Sequence, residues 1–131
     1  MRKGRRQGRG IVLIEAMIGV LIFAFGVLGV IGLQAAMARA QTSGKVRADA
    51  AALAAEAVAS MWVDTKNLAK YDSASCKGYD PCADWLDKVE RALPSGAAEV
   101  SVNGNAVSVT ITWAVPDEGE HRFFTQTTVS Q

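Results

Sequence analysis

Residues 16–33 form a run of eighteen amino acids without a charge, Ala-Met-Ile-Gly-Val-Leu-Ile-Phe-Ala-Phe-Gly-Val-Leu-Gly-Val-Ile-Gly-Leu. No other feature constrains the fold as strongly. Extended back to Ile11, the run supplies the roughly 20 residues that a helix needs to cross a hydrocarbon layer. The chain has 131 residues. What remains is room for one small domain with a modest core.

Charge orients the segment. Arg2, Lys3, Arg5, Arg6 and Arg9 place five of the fourteen basic residues in the first ten positions. The next basic residue is Arg39, beyond the apolar run. The positive-inside asymmetry keeps the N-terminus cytoplasmic and puts the rest of the chain outside. Without the first ten residues, nine Lys/Arg face thirteen Asp/Glu, a balance of −4. A mildly acidic body without a basic stripe is not built to neutralise phosphates, so no nucleic-acid partner is expected.

A secretory signal is the competing reading. Ala36-Met37-Ala38 and Ala38-Arg39-Ala40 have the small-x-small form of a cleavage site, which would release a soluble domain starting at Arg39 or Gln41. The apolar run, however, exceeds the ~7–15 residues of such a signal. It also carries Glu15 near its start. An ionisable group in a membrane segment is disfavoured by a few kcal/mol and suggests function, unless it snorkels to the interface.

Gly10-Ile11-Val12-Leu13-Ile14-Glu15 resembles the processing motif of type IV prepilins, in which a basic leader ends in Gly and Glu is fifth in the mature chain. Ile11-Val12 stands where the family usually has Phe-Thr. The resemblance implies cleavage between Gly10 and Ile11 by a prepilin peptidase and N-methylation of Ile11. It further implies that Glu15 of one subunit meets the new amine of a neighbour and sets its register. A buried carboxylate is tolerable when paired in this way. Gly26-Val27-Leu28-Gly29-Val30-Ile31-Gly32-Leu33-Gln34 is similar to the Gly-Leu-Leu-Gly-Leu-Ala-Gly-Leu-Gln stretch of PilV-type minor pilins. Gly26, Gly29 and Gly32 would let another helix approach closely, although Gly is also common in membrane helices generally.

Beyond residue 33 the chain turns amphipathic. Val46, Ala50, Leu53, Ala57 and Met61 recur at helical spacing. Arg39, Lys45, Arg47, Asp49 and Glu56 carry the polar side, and Gly44 is the weakest point of the helix. Residues 66–78 read as a polar loop. Cys76 and Cys82 bracket five residues. Outside the cytoplasm an even pair predicts a disulfide. A redox-active pair would more typically be Cys-x-x-Cys, and a zinc site would want four ligands where the chain offers one histidine, His121. Asp80-Pro81 predicts a helix with Asp80 as its cap. On it Trp85, Leu86, Val89 and Leu93 point inward, while Asp84 and Asp87 form a solvated face. Asn103-Gly104 predicts a hairpin. Val107, Val109, Ile111, Trp113 and Val115 alternate as a half-buried strand. Pro116-Asp117-Glu118-Gly119 turns into a third strand over 121–130, with His121 exposed at its edge.

The expected organisation is a leader over 1–10, a transmembrane or filament-core helix over 11–33, an amphipathic stalk over 34–64 and a periplasmic head over 65–131. The expected fold is α+β: one long helix packed on a small antiparallel meander, which is also what the pilin resemblance implies. The sequence offers no triad, phosphate loop or metal cluster, so no enzymatic activity or cofactor is expected. The resemblance implies a minor pilin. Its partners would be other major and minor pilins, the prepilin peptidase, the inner-membrane assembly machinery and membrane lipid. A minor pseudopilin of a type II secretion system shares the leader, the glutamate and the stalk.

Overall fold

The computed structural model describes residues 9–130. The leader expected over 1–10 lies outside these residues except at Arg9 and Gly10. Helix α1 spans Arg9–Val63, passing through Gly44. Its residues fall into two compact units, up to Gln41 and from Thr42 onward.

In the first unit none of the apolar window is buried, and its mean hydropathy of 2.7 makes α1 long and apolar enough to cross a membrane. Seventeen large apolar side chains between Ile11 and Met37 are 40–71 % exposed. Burying such a side chain is worth ~1.5–3 kcal/mol. This surface therefore has a strong drive to be covered by lipid or by other apolar helices.

The second unit is α+β. Its part of α1 presents Ala50, Leu53, Ala54, Ala57 and Met61 to the core, and Val46 packs beside them. Two short 3₁₀ turns follow, Thr65–Tyr71 and Cys76–Gly78. Helix α2 spans Asp80–Ala92 and buries Cys82, Trp85 and Val89. Strands β1 (Ala97–Asn103), β2 (Ala106–Val115) and β3 (Gly119–Thr128) form an antiparallel meander in the order β1-β2-β3. Val107, Val109, Ile111 and Trp113 face inward from β2, as the alternation predicted. Trp85 is the tie between the helices: its indole Nε1–H donates to the Leu53 carbonyl of α1 at 2.9 Å. Lys88 also reaches Glu56 at 2.7 Å, but both are half exposed, so that pair adds little.

Several local expectations are corrected. Residues 66–78 contain two 3₁₀ turns, because amides there find carbonyls three residues back, such as Asn67 N–H to Asp64 (3.1 Å) and Tyr79 N–H to Cys76 (3.0 Å). The cap of α2 is Tyr79; Asp80 sits in the first turn. The Tyr79 carbonyl accepts from both Cys82 and Ala83 at 2.9 Å, which starts the helix one residue earlier. The two-residue loop of the β1–β2 hairpin is Gly104-Asn105, with Asn103 paired to Ala106. Gly104 takes φ +60° at the first central position, where a II′ turn needs glycine. His121 is half-buried. Its ring stacks on Trp113 with centroids 5.8 Å apart, and Nε2 lies 3.6 Å from the Glu118 carboxylate.

Gly96 is a close-approach glycine. A Cβ there would meet the Val89 carbonyl at 2.6 Å and the Leu93 Cβ at 2.8 Å. Gly96→Ala should therefore destabilise the head by about 1–3 kcal/mol, as overpacking does. Thermal unfolding checks this, and an unchanged Tm would contradict the tight seat.

Candidate assembly helix and head surface

Ile11 and Glu15 are four residues apart, one turn of α1. At 3.6 residues per turn, Ile11, Glu15, Gly26, Gly29 and Gly32 fall within an arc of about 140° on one side of the helix. Gly19 and the apolar side chains Ile18 and Ile22 share it. Glu15 makes no hydrogen bond or ion pair with any described residue, and a Cβ added at Gly26, Gly29 or Gly32 would meet nothing within 4 Å. Beside this arc, Phe23, Gly26, Val27, Val30, Ile31 and Gln34 line a shallow apolar groove. Their i, i+3, i+4, i+7 spacing makes a seam of the kind that receives another helix.

Cys76 and Cys82 form a disulfide with Cα atoms 5.1 Å apart, and both are buried. The loop is short, so its removal by a Cys76→Ser/Cys82→Ser double substitution should cost about 2 kcal/mol, the low end for a native bridge. Chemical denaturation of oxidised protein and double variant gives this difference, and equal stabilities would contradict it.

A cluster that the sequence reading did not pick out surrounds the bridge. Asp64 stands at the end of α1 and gathers three donors. Asn67 Nδ2–H donates to its Oδ1 at 2.8 Å, the Tyr71 hydroxyl approaches Oδ2 at 3.5 Å, and the Tyr79 hydroxyl donates to the same oxygen. The rings of Tyr71 and Tyr79 meet edge-on at 5.4 Å. Lys70 Nζ lies 5.2 Å from the centre of the Tyr79 ring. Signals were present in sequence: an aspartate directly after the long helix, Asn three residues on, and both tyrosines of the chain within fifteen residues. They carry no periodicity, and without one the segment reads in sequence as a plain loop.

Hydrogen bonds set the electrostatics here. The Tyr79 hydroxyl, then Asn67, hold the Asp64 carboxyl below the usual aspartate value of 3.8. Bonds from the Val102 and Ala74 amides do the same for Asp72. In turn, the bond to Asp64 pushes Tyr79 up to about 12. Burial, then the Asp64 charge, raises Tyr71. A lowered carboxyl pKa gives stability that is present above the unfolded value and lost as pH falls through the folded one. Asp64→Asn should thus flatten the fall of stability below pH ~4. Denaturation series at pH 2–6 for both proteins check this; parallel curves would contradict it. Tyr79 has the opposite sense. Its contribution is complete below pH ~10 and is lost as pH rises through about 12.

Asp72 and Ser73 also cover the outer edge of β1. Ser73 N–H donates to the Val100 carbonyl at 2.9 Å, Val100 N–H to Ser73 Oγ at 2.8 Å, and Val102 N–H to Asp72 Oδ2 at 3.1 Å. This blunts an edge that could otherwise pair with another chain. Among the described residues no three His, Cys, Asp or Glu side chains converge as a metal site would require. No family model, no curated protein and no solved structure matches this chain.

Proposed function

We propose that the chain is a minor pilin: an inner-membrane-anchored structural subunit that joins a type IV pilus after its leader is removed. The observation that carries this reading is the shared side of α1. Glu15 lies there one turn from Ile11, together with Gly26, Gly29 and Gly32, on a helix whose apolar surface no described residue covers. A carboxylate in apolar surroundings needs a cationic partner. Cleavage after Gly10 creates one, the α-amino group of Ile11, at the same end of a neighbouring helix. The glycines admit that neighbour closely.

On this reading lipid covers the helix before assembly and other major and minor pilins cover it afterwards. The prepilin peptidase acts at Gly10–Ile11, and the inner-membrane machinery drives insertion. The disulfide-braced head stays in the periplasm, where oxidising conditions keep such a bridge closed.

The experiment is fractionation of the producing cell with and without the gene. Expected are the mature protein in sheared pili and a change in pilus number or length on deletion. Protein confined to membranes, with pili unchanged and protein secretion lost, would instead support the pseudopilin reading.

A further inference from the structure

The geometry around Asp64 points to a redox-linked latch. We propose that the Cys76–Cys82 bridge and the Asp64 carboxylate form one coupled device: closing the bridge seats the Tyr79 hydroxyl on Asp64 and fixes the end of α1, and opening it releases both. This inference does not rest on the pilus reading.

Tyr79 lies between the two cysteines and is held by both. Its N–H donates to the Cys76 carbonyl at 3.0 Å, and its carbonyl accepts from Cys82 N–H at 2.9 Å. Cys82 Sγ packs 3.6 Å from the Tyr71 carbonyl oxygen, so the second tyrosine of the cluster also rests on the bridge. Asp64 follows the last residue of α1, and its amide donates to the Ser60 carbonyl at 3.0 Å. Asp64 thus joins the final turn of the helix to the bridged loop. Lys70 and the edge-on pair of tyrosine rings complete its charged and polar surroundings. Both cysteines are buried, so reduction must first open the loop, and opening the loop moves Tyr79.

The chemistry is thiol–disulfide exchange with an oxidant that itself carries a disulfide. One cysteine thiolate attacks the oxidant's disulfide and forms a mixed disulfide. The second thiolate displaces the oxidant as a dithiol, which carries away two electrons and two protons. An oxidised head has its α1 end latched, and a reduced one does not.

Coupling of this kind is reciprocal: whatever the bridge gives the clamp, the clamp gives the bridge. The test uses the full chain in detergent micelles, equilibrated against mixtures of reduced and oxidised dithiothreitol, with free thiols counted by alkylation. Asp64→Asn and Tyr79→Phe should each shift the midpoint about fivefold or more toward easier reduction. Asp84→Asn, an exposed change on α2, should not. The second readout is tyrosinate absorbance after a rapid pH jump, and it reports this cluster alone because Tyr71 and Tyr79 are the only tyrosines. Oxidised wild type should show a titration near 12. Asp64→Asn, and a Cys76→Ser/Cys82→Ser variant that keeps its helix content, should bring it back toward ~10. The proposal is overturned if Asp64→Asn shifts the midpoint no further than Asp84→Asn. It is also overturned if the folded bridge-less variant keeps the high titration. Should that variant not fold, the dithiothreitol midpoints decide.

Discussion

Glu15→Ala is expected to leave the protein in membranes at the wild-type level while nearly abolishing its recovery in filaments. The substitution removes a charge that a membrane helix tolerates poorly, so insertion does not suffer. On the proposed function its loss is felt only where a neighbour's Ile11 amine is buried against it. Breaking a buried pair by deleting one partner costs about 3–5 kcal/mol, because the other charge stays behind uncompensated. At ~1.4 kcal/mol per factor of ten, that is a hundredfold or more in incorporation. The measurement is the ratio of pilus to membrane abundance for variant and wild type. Equal ratios would contradict the register role of Glu15. A fall in both fractions would instead mean that Glu15 serves insertion or stability.

Trp85→Ala is the second large effect, and it acts on the head. Trp85 is 7 % exposed and joins the shared core of α1, α2 and the sheet. Its indole N–H is bonded to the Leu53 carbonyl. Truncating a buried Trp costs about 3–5 kcal/mol. For a unit of this size, each kcal/mol moves Tm by roughly 4–8 °C, so a fall of at least ~12 °C is expected. Leu53 O lies inside α1 and keeps the helix's own hydrogen bond, so the loss is mainly packing. Trp85→Phe should therefore recover most of the stability. A Trp85→Ala head that melts within ~3 °C of wild type would show that Trp85 does not anchor the core.

The parts of the fold legible in sequence are those where burial imposes a period. Val107 to Trp113 alternate because one face of β2 is buried, and Ala50 to Met61 recur because one stripe of α1 is. The turn chemistry was read to within a residue: the Asn103-Gly104 signal located the hairpin, but the positive φ falls on Gly104 at the first loop position, so the loop is Gly104-Asn105. Asp80-Pro81 located the start of α2, yet the first carbonyl of the helix belongs to Tyr79, whose side chain is engaged with Asp64. That engagement spans fifteen residues and follows no repeat, so pattern reading had no access to it. The Cys76–Cys82 bridge was legible from parity and compartment. Its coupling to Asp64 was not, because it depends on where the Tyr79 hydroxyl points. Ile11, Glu15 and the three glycines were each singled out in sequence. Their common side of the helix follows only once α1 is a regular helix through all of them.

On the proposed function a prepilin peptidase cuts before Ile11. The most direct test is the mass of the N-terminal peptide of protein taken from membranes and sheared pili. The expected peptide begins at Ile11 and carries one added methyl group on its amine. A Gly10 variant with a larger side chain should keep the leader. A soluble form beginning at Arg39 or Gln41 would contradict the account outright, because Glu15 and the glycine face would then leave with a discarded signal peptide.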